Sequence, residues 1–250
     1  MKVDSRSQRV LIWTAVVLAN FYTLAFVYLM DFFPLPLPSL GAEAVLELYT
    51  RHNLQFKFGV VIMVLSSAFY LLWTVVIAVQ MTRIEKGFPL WTLLMVLASV
   101  LGTWAFAFPP LIWGTAAFMV ERNPEITLML HQFGFLMLVA AGGFFMMQLV
   151  PIAVVAFSAS NTDANTAFPR WLAWLSIWDG MLGPIGVMAF VFNRGPFAWN
   201  GVISFWLPLL LFTVWLVALI YCLLRAIKHQ QRAETPRAGL INEPKVAVQV

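Results

Sequence analysis

The sequence predicts an all-α fold: a polytopic membrane bundle of six transmembrane helices with a short outer interfacial helix and both termini cytoplasmic. Three observations carry that prediction. Hydrophobic residues make up 62% of the chain and charged residues 10%, with a mean hydropathy of +0.86, far from the soluble balance of about half apolar and a quarter charged. Six apolar runs, 10–30, 56–81, 89–113, 127–157, 171–192 and 202–225, each have the length of about 20 residues needed to cross the hydrocarbon core. Of the 15 Lys and Arg, all but Arg51, Lys57, Arg122 and Arg194 fall on the side that carries both ends, and positive charge marks the cytoplasmic side.

The first run follows Lys2, Arg6 and Arg9. It is longer than the apolar core of a signal peptide, about 7–15 residues, and has no small-residue cleavage site before Asp31-Phe32-Phe33-Pro34, so it reads as a retained helix. Pro34, Pro36 and Pro38 then favour an extended polyproline segment. In GAEAVLELYTRHN, the apolar residues Val45, Leu46, Leu48 and Tyr49 suit a short helix lying at the interface and capping the bundle.

The second and third runs are joined on the inner side near Arg83 and Lys86, and the third opens at Phe88-Pro89-Leu90-Trp91. Proline suits a first helical turn, where its missing N–H loses nothing, and tryptophan suits the membrane interface. The fifth run opens in the same way at Phe168-Pro169-Arg170-Trp171. Pro109-Pro110, Pro151, Pro184 and Pro208 are expected to interrupt or kink the third, fourth, fifth and sixth helices. Residues 1–227 form one transmembrane domain, and the polar segment 228–250 is expected to be a mobile cytoplasmic tail.

Net charge is +4, but the basic residues fall in short groups between apolar runs and make no basic face, so no nucleic-acid partner is expected. The single Cys222 leaves no disulfide framework and no multi-cysteine metal site. Phosphate-binding glycine loops, zinc-binding helix motifs and nucleophile elbows are absent from the sequence. No metal or cofactor is indicated.

Two polar groups remain as candidate sites. Asp179 sits in Ile177-Trp178-Asp179-Gly180-Met181-Leu182-Gly183-Pro184, about 12 Å above the cytoplasmic start of its helix at about 1.5 Å per residue. A carboxylate at that depth costs about 2.5–3.5 kcal/mol and often marks a ligand or pathway. At the same depth the other helices carry Gln148, Asn20, Ser99, Thr103 and Thr74; if all face inward they form one polar layer, serving either as a binding site or as interhelical hydrogen bonding. Trp178 and its aromatic neighbours would wall a pocket for a hydrophobic molecule. Gly180, Gly183 and Gly186 share a face that lets a neighbouring helix approach. The second group is an outer cluster of His52, Gln55, Lys57, Glu121, Arg122, Glu125, His131 and Gln132, read as a solvated rim or as the site of a membrane-bound enzyme.

Asn193-Arg194-Gly195-Pro196-Phe197-Ala198-Trp199-Asn200-Gly201, following Phe168-Pro169-Arg170-Trp171, resembles a group of uncharacterised bacterial six-helix inner-membrane proteins. The likeness extends from the Arg83-Ile84-Glu85 turn to the end of the sixth helix. It implies a bacterial inner-membrane location and carries no activity. The functional expectation is binding or transport of a small hydrophobic or amphipathic molecule, with the lipid bilayer as the surroundings. The alternative is a non-catalytic membrane subunit packed on a protein partner or a second copy of itself.

Overall fold

The computed structural model describes residues 4–118 and 123–241, with side chains as far as Arg232. Glu121 and Arg122 of the expected outer cluster, and 242–250 of the expected tail, lie outside the described residues. Among the described residues the chain is all-helical, and six helical segments are long and apolar enough to cross a membrane: Ser5–Leu29, Asn53–Thr82, Leu90–Phe118, Pro124–Phe157, Arg170–Phe190 and Val202–Arg232.

The helices are α1 (Ser5–Leu24), α2 (Ala42–Thr50), α3 (Asn53–Ser66), α4 (Phe69–Thr82), α5 (Leu90–Phe118), α6 (Pro124–Ala140), α7 (Gly142–Phe157), α8 (Arg170–Leu182) and α9 (Leu207–Ile241). Their starts follow local chemistry. Asp4 caps α1 by accepting from the backbone N–H groups of Arg6 (3.0 Å) and Ser7 (3.2 Å), groups that have no partner inside the helix. Asn123 caps α6 through Glu125 N–H (2.9 Å), with Pro124 at the first helical position. The Glu85 carboxylate accepts from the N–H of Trp91 (3.0 Å) and Thr92 (2.9 Å) and from the Thr92 hydroxyl, so the turn between α4 and α5 caps α5. Gly87 in that turn has φ +82°, a conformation glycine adopts without steric cost.

Each span packs on its neighbour in sequence, and α9 closes the ring on α1. Outside the spans, α2 lies over α6 with Val45 and Tyr49 buried beneath it. The loop after the first span is tied to the loop before the sixth by Trp199 Nε1 donating to Pro36 O (2.9 Å).

Five irregular segments interrupt the spans. The first ends in a π-helical turn (Ala25–Leu29), the fourth breaks at Ala141, the fifth passes into 3-10 helix (Gly183–Phe190) and the sixth starts as π-helix (Val202–Trp206). The second also breaks, between Ser66 and Phe69. This corrects the proline reading in part. Pro109 and Pro110 lie inside an unbroken α5 and Pro151 inside an unbroken α7, whereas Pro184 does mark the end of α8 and Pro208 the passage from π to α. Tertiary donors account for one of the tolerated prolines: Tyr22 Oη donates to Phe106 O (3.0 Å), the carbonyl that Pro110 cannot serve.

The polar segment from Lys228, expected to be a mobile tail, begins as a continuation of α9, which runs to Ile241. A chain of amides holds its first turn: Gln230 Nε2 donates to Gln80 Oε1 (2.8 Å), and Gln80 Nε2 donates to Gln8 Oε1 (2.7 Å). Arg9 adds a bond to Gln231 (2.5 Å).

Candidate functional site

The fifth span packs its polar positions inward. Leu172, Ser176, Asp179 and Gly180 make the buried face of α8, spaced three and four residues apart as a helix face requires. Ser176 Oγ donates to Leu172 O (2.8 Å) and accepts from Trp215 Nε1 of α9 (2.8 Å). Asp179, one turn further, is 4% exposed, and its Oδ2 is fully buried without a hydrogen-bond partner. An unpaired buried polar group is costly, and among the described residues Trp73 Nε1 of α4 shares this state.

Asp179 borders a cavity of about 130 Å³. The fourth span contributes Leu138, Val139, Gly142 and Phe145, and the sixth contributes Ser204, Phe205, Pro208, Leu209 and Phe212; Gly183 and Phe106 complete the wall. Leu209 is 43% exposed, so the cavity reaches the lipid-facing surface of the bundle. The lining is mostly apolar, and it coincides with three of the backbone irregularities: the break beside Gly142, the α-to-3-10 change at Gly183, and the π segment holding Ser204. Irregular backbone within a membrane is tolerated where it is packed in protein or lines a cavity.

Glycine makes this geometry possible. A Cβ on Gly142 would collide with the Gly183 carbonyl, and one on Gly186 would collide with the Val139 carbonyl. Of the expected small-residue face, Gly186 and Gly183 therefore lie at the crossing of the fourth and fifth spans. Gly180 meets only ordinary contact with Leu149 at 3.5 Å.

An aromatic cluster stands behind the cavity. Phe106 and Phe145 have ring centroids 5.8 Å apart, Phe145 and Phe212 5.7 Å apart, and Tyr70 packs on Phe106 at 5.3 Å and on Phe145 at 5.4 Å. Tyr70 Oη donates to Gln148 Oε1. Gln148 is thus buried and engaged across the bundle, but it does not border the cavity that Asp179 borders.

The remaining members of the expected layer are placed differently. Asn20 is exposed and donates to its own helix at Val16 O (2.8 Å), which corrects its inward assignment; a local backbone bond lets the amide face outward. Trp178 is 60% exposed and does not wall the cavity, because a residue adjacent to inward-facing Asp179 is turned about 100° away. Ser99 is buried and donates to Met95 O (2.7 Å), half-buried Thr103 donates to Ser99 O (2.8 Å), and buried Thr74 donates to Tyr70 O (3.0 Å). Their hydroxyl protons are occupied within their own helices.

The outer cluster divides into separate environments. His131 is buried, with Nδ1 3.0 Å from Tyr49 Oη and Nε2 unpartnered. Its ring lies among Phe32 (5.8 Å), Phe135 (4.9 Å) and Trp199 (6.4 Å). His52 is exposed and borders a different, more polar cavity of about 230 Å³ with Asp31, Arg51 and Gln55. Glu125 is exposed, while Lys57 and Gln132 are half-buried. Among the described residues no three His, Cys, Asp or Glu side chains gather as a metal site.

Sequence reasoning missed Gly142, Ser204, Phe205 and Phe212 as wall residues. The paired glycines Gly142-Gly143 in the middle of an apolar run, and Ser204 four residues before Pro208, were the available signals. No protein-family profile, curated protein or solved structure matches the chain.

Proposed function

We propose that this integral membrane protein binds or transports a small hydrophobic or amphipathic molecule in the cavity beside Asp179. The observation that carries the reading is the unpartnered Asp179 oxygen at the edge of an apolar cavity open to the lipid face. An intramembrane carboxylate facing a cavity is where a ligand or coupling ion gains most from a partner. Size agrees with a small occupant, since an engineered cavity of about 150 Å³ in another protein takes up benzene. The charge bias of the loops and the resemblance to bacterial inner-membrane proteins support residence there, with both termini cytoplasmic.

Mass spectrometry of gently purified protein tests this reading. A small molecule retained by the wild type and lost on Leu209→Trp, which fills the mouth, is the expected result. Retention unchanged by that substitution places the molecule elsewhere and defeats the proposal.

A second reading, as a membrane subunit, rests on a different surface. Trp171, Trp174, Trp178 and Met181 form an exposed stripe on α8 with the three- and four-residue spacing of a helix-packing seam. Purification with a second chain at fixed stoichiometry, lost on Trp174→Ala with Trp178→Ala, is the result this reading requires.

A further inference from the structure

Resting on the reading of the Asp179 cavity as a ligand site, we infer that its occupant is a small organic ammonium ion, with the nitrogen against Asp179 and the hydrocarbon portion among the phenylalanine rings. The electrostatics of the wall all point one way. Asp179 supplies a carboxylate whose Oδ2 has no partner, and none of the residues bordering the cavity is basic. Ser204 has a hydroxyl, but it donates to Phe197 O (2.9 Å), leaving only lone pairs to offer. Pro184 and Pro208, in the irregular segments around the cavity, remove two backbone donors from that backbone. Phe106, Phe145 and Phe212 present rings whose faces are electron-rich and attract a cation. With Asp179 ionised, the side chains lining the cavity offer acceptors and no donor, so the complement of that state carries N–H groups and positive charge.

A neutral hydrophobe would leave the Asp179 oxygen as it stands. A carboxylic acid or phosphate would face like charge and an acceptor-only wall. An alkylammonium or arylalkylammonium ion satisfies both the carboxylate and the apolar surface, and the opening at Leu209 leaves room for a longer tail to extend toward lipid.

Detergent-purified full-length protein at neutral pH and constant ionic strength allows a direct test with benzylamine, benzyl alcohol and toluene, followed by thermal shift and by quenching of tryptophan fluorescence. Benzylamine is expected to bind at least about 10-fold more tightly than benzyl alcohol, a preference abolished in Asp179→Asn and kept in Asp179→Glu. Should Asp179→Asn fail to fold, Leu209→Trp in the wild-type background is expected to weaken benzylamine and benzyl alcohol alike. Equal binding of amine and alcohol, or an amine preference that survives Asp179→Asn, overturns the ammonium inference and leaves the hydrophobic cavity reading intact. A stabilisation produced equally by potassium chloride alone overturns it in favour of an inorganic cation. Absence of binding by all three probes, with no effect of Leu209→Trp, removes both the inference and the site reading beneath it.

Discussion

Tyr22 Oη donates to the carbonyl oxygen of Phe106 at 3.0 Å, across the bundle from the first span to the third. Pro110, four residues after Phe106, has no N–H to give that carbonyl. The hydroxyl therefore stands in for a missing helical hydrogen bond, and α5 runs unbroken through Pro109-Pro110.

The coupling is measurable. Tyr22→Phe is expected to destabilise the protein by about 0.6 kcal/mol and at most about 1.7 kcal/mol, the range for interhelical hydrogen bonds in membranes. In a Pro110→Ala background the alanine N–H takes over the carbonyl, and the penalty of Tyr22→Phe should disappear. A double-mutant cycle by unfolding in mixed detergent micelles reads the difference; equal penalties in both backgrounds would show that the hydroxyl acts independently of the proline.

Glycine substitutions separate close approach from incidental small size. Gly142→Ala and Gly186→Ala each drive a methyl group into a facing backbone carbonyl, and backbone cannot rotate away as a side chain can. Each is expected to cost about 1–3 kcal/mol, as overpacking does, and to lower the thermal midpoint. Gly180→Ala meets Leu149 at 3.5 Å and is expected to be neutral or slightly stabilising, alanine being the better helix former. Comparable losses at all three positions would contradict the crossing described for the fourth and fifth spans.

The six spans were legible because lipid imposes a length and an apolar composition on every crossing helix. Their ends were less so: α9 continues past its apolar run, its first polar turn held by the bond from Gln230 to Gln80, which in turn bonds Gln8, a tertiary contact with no local signature. Orientation was harder still. In water the apolar face of a helix points to the core, but a membrane helix is apolar all round and offers no such stripe. Asn20 and Asp179 both looked like intramembrane polar groups, yet Asn20 faces outward and bonds its own Val16 carbonyl, while Asp179 is buried. Once Asp179 is inward, the outward placement of Trp178 follows from helical geometry. The cavity itself required two backbone breaks to meet, at Gly142 and at Gly183, residues 41 positions apart, and proline counting identified only the second.

The cap formed by α2 has a pH dependence whose sign follows from burial. Tyr49 is fully buried, its hydroxyl is 3.0 Å from His131 Nδ1, and desolvation holds its phenol well above the usual value near 10. In the unfolded chain tyrosine ionises at about 10, so above that pH the folded state holds the proton more firmly than the unfolded state. Stability is fully present below pH 10 and falls as pH rises toward the folded value, with a limiting slope of about 1.4 kcal/mol per pH unit. Tyr49→Phe loses the bond to His131, about 1 kcal/mol at neutral pH, but also loses this alkaline slope. Unfolding midpoints measured from about pH 9 to about pH 11, one unit either side of the tyrosine reference, should show the variant below wild type at the acid end and the two curves converging at the alkaline end. Parallel curves would mean that Tyr49 titrates alike in both states, against the burial of its hydroxyl under α2.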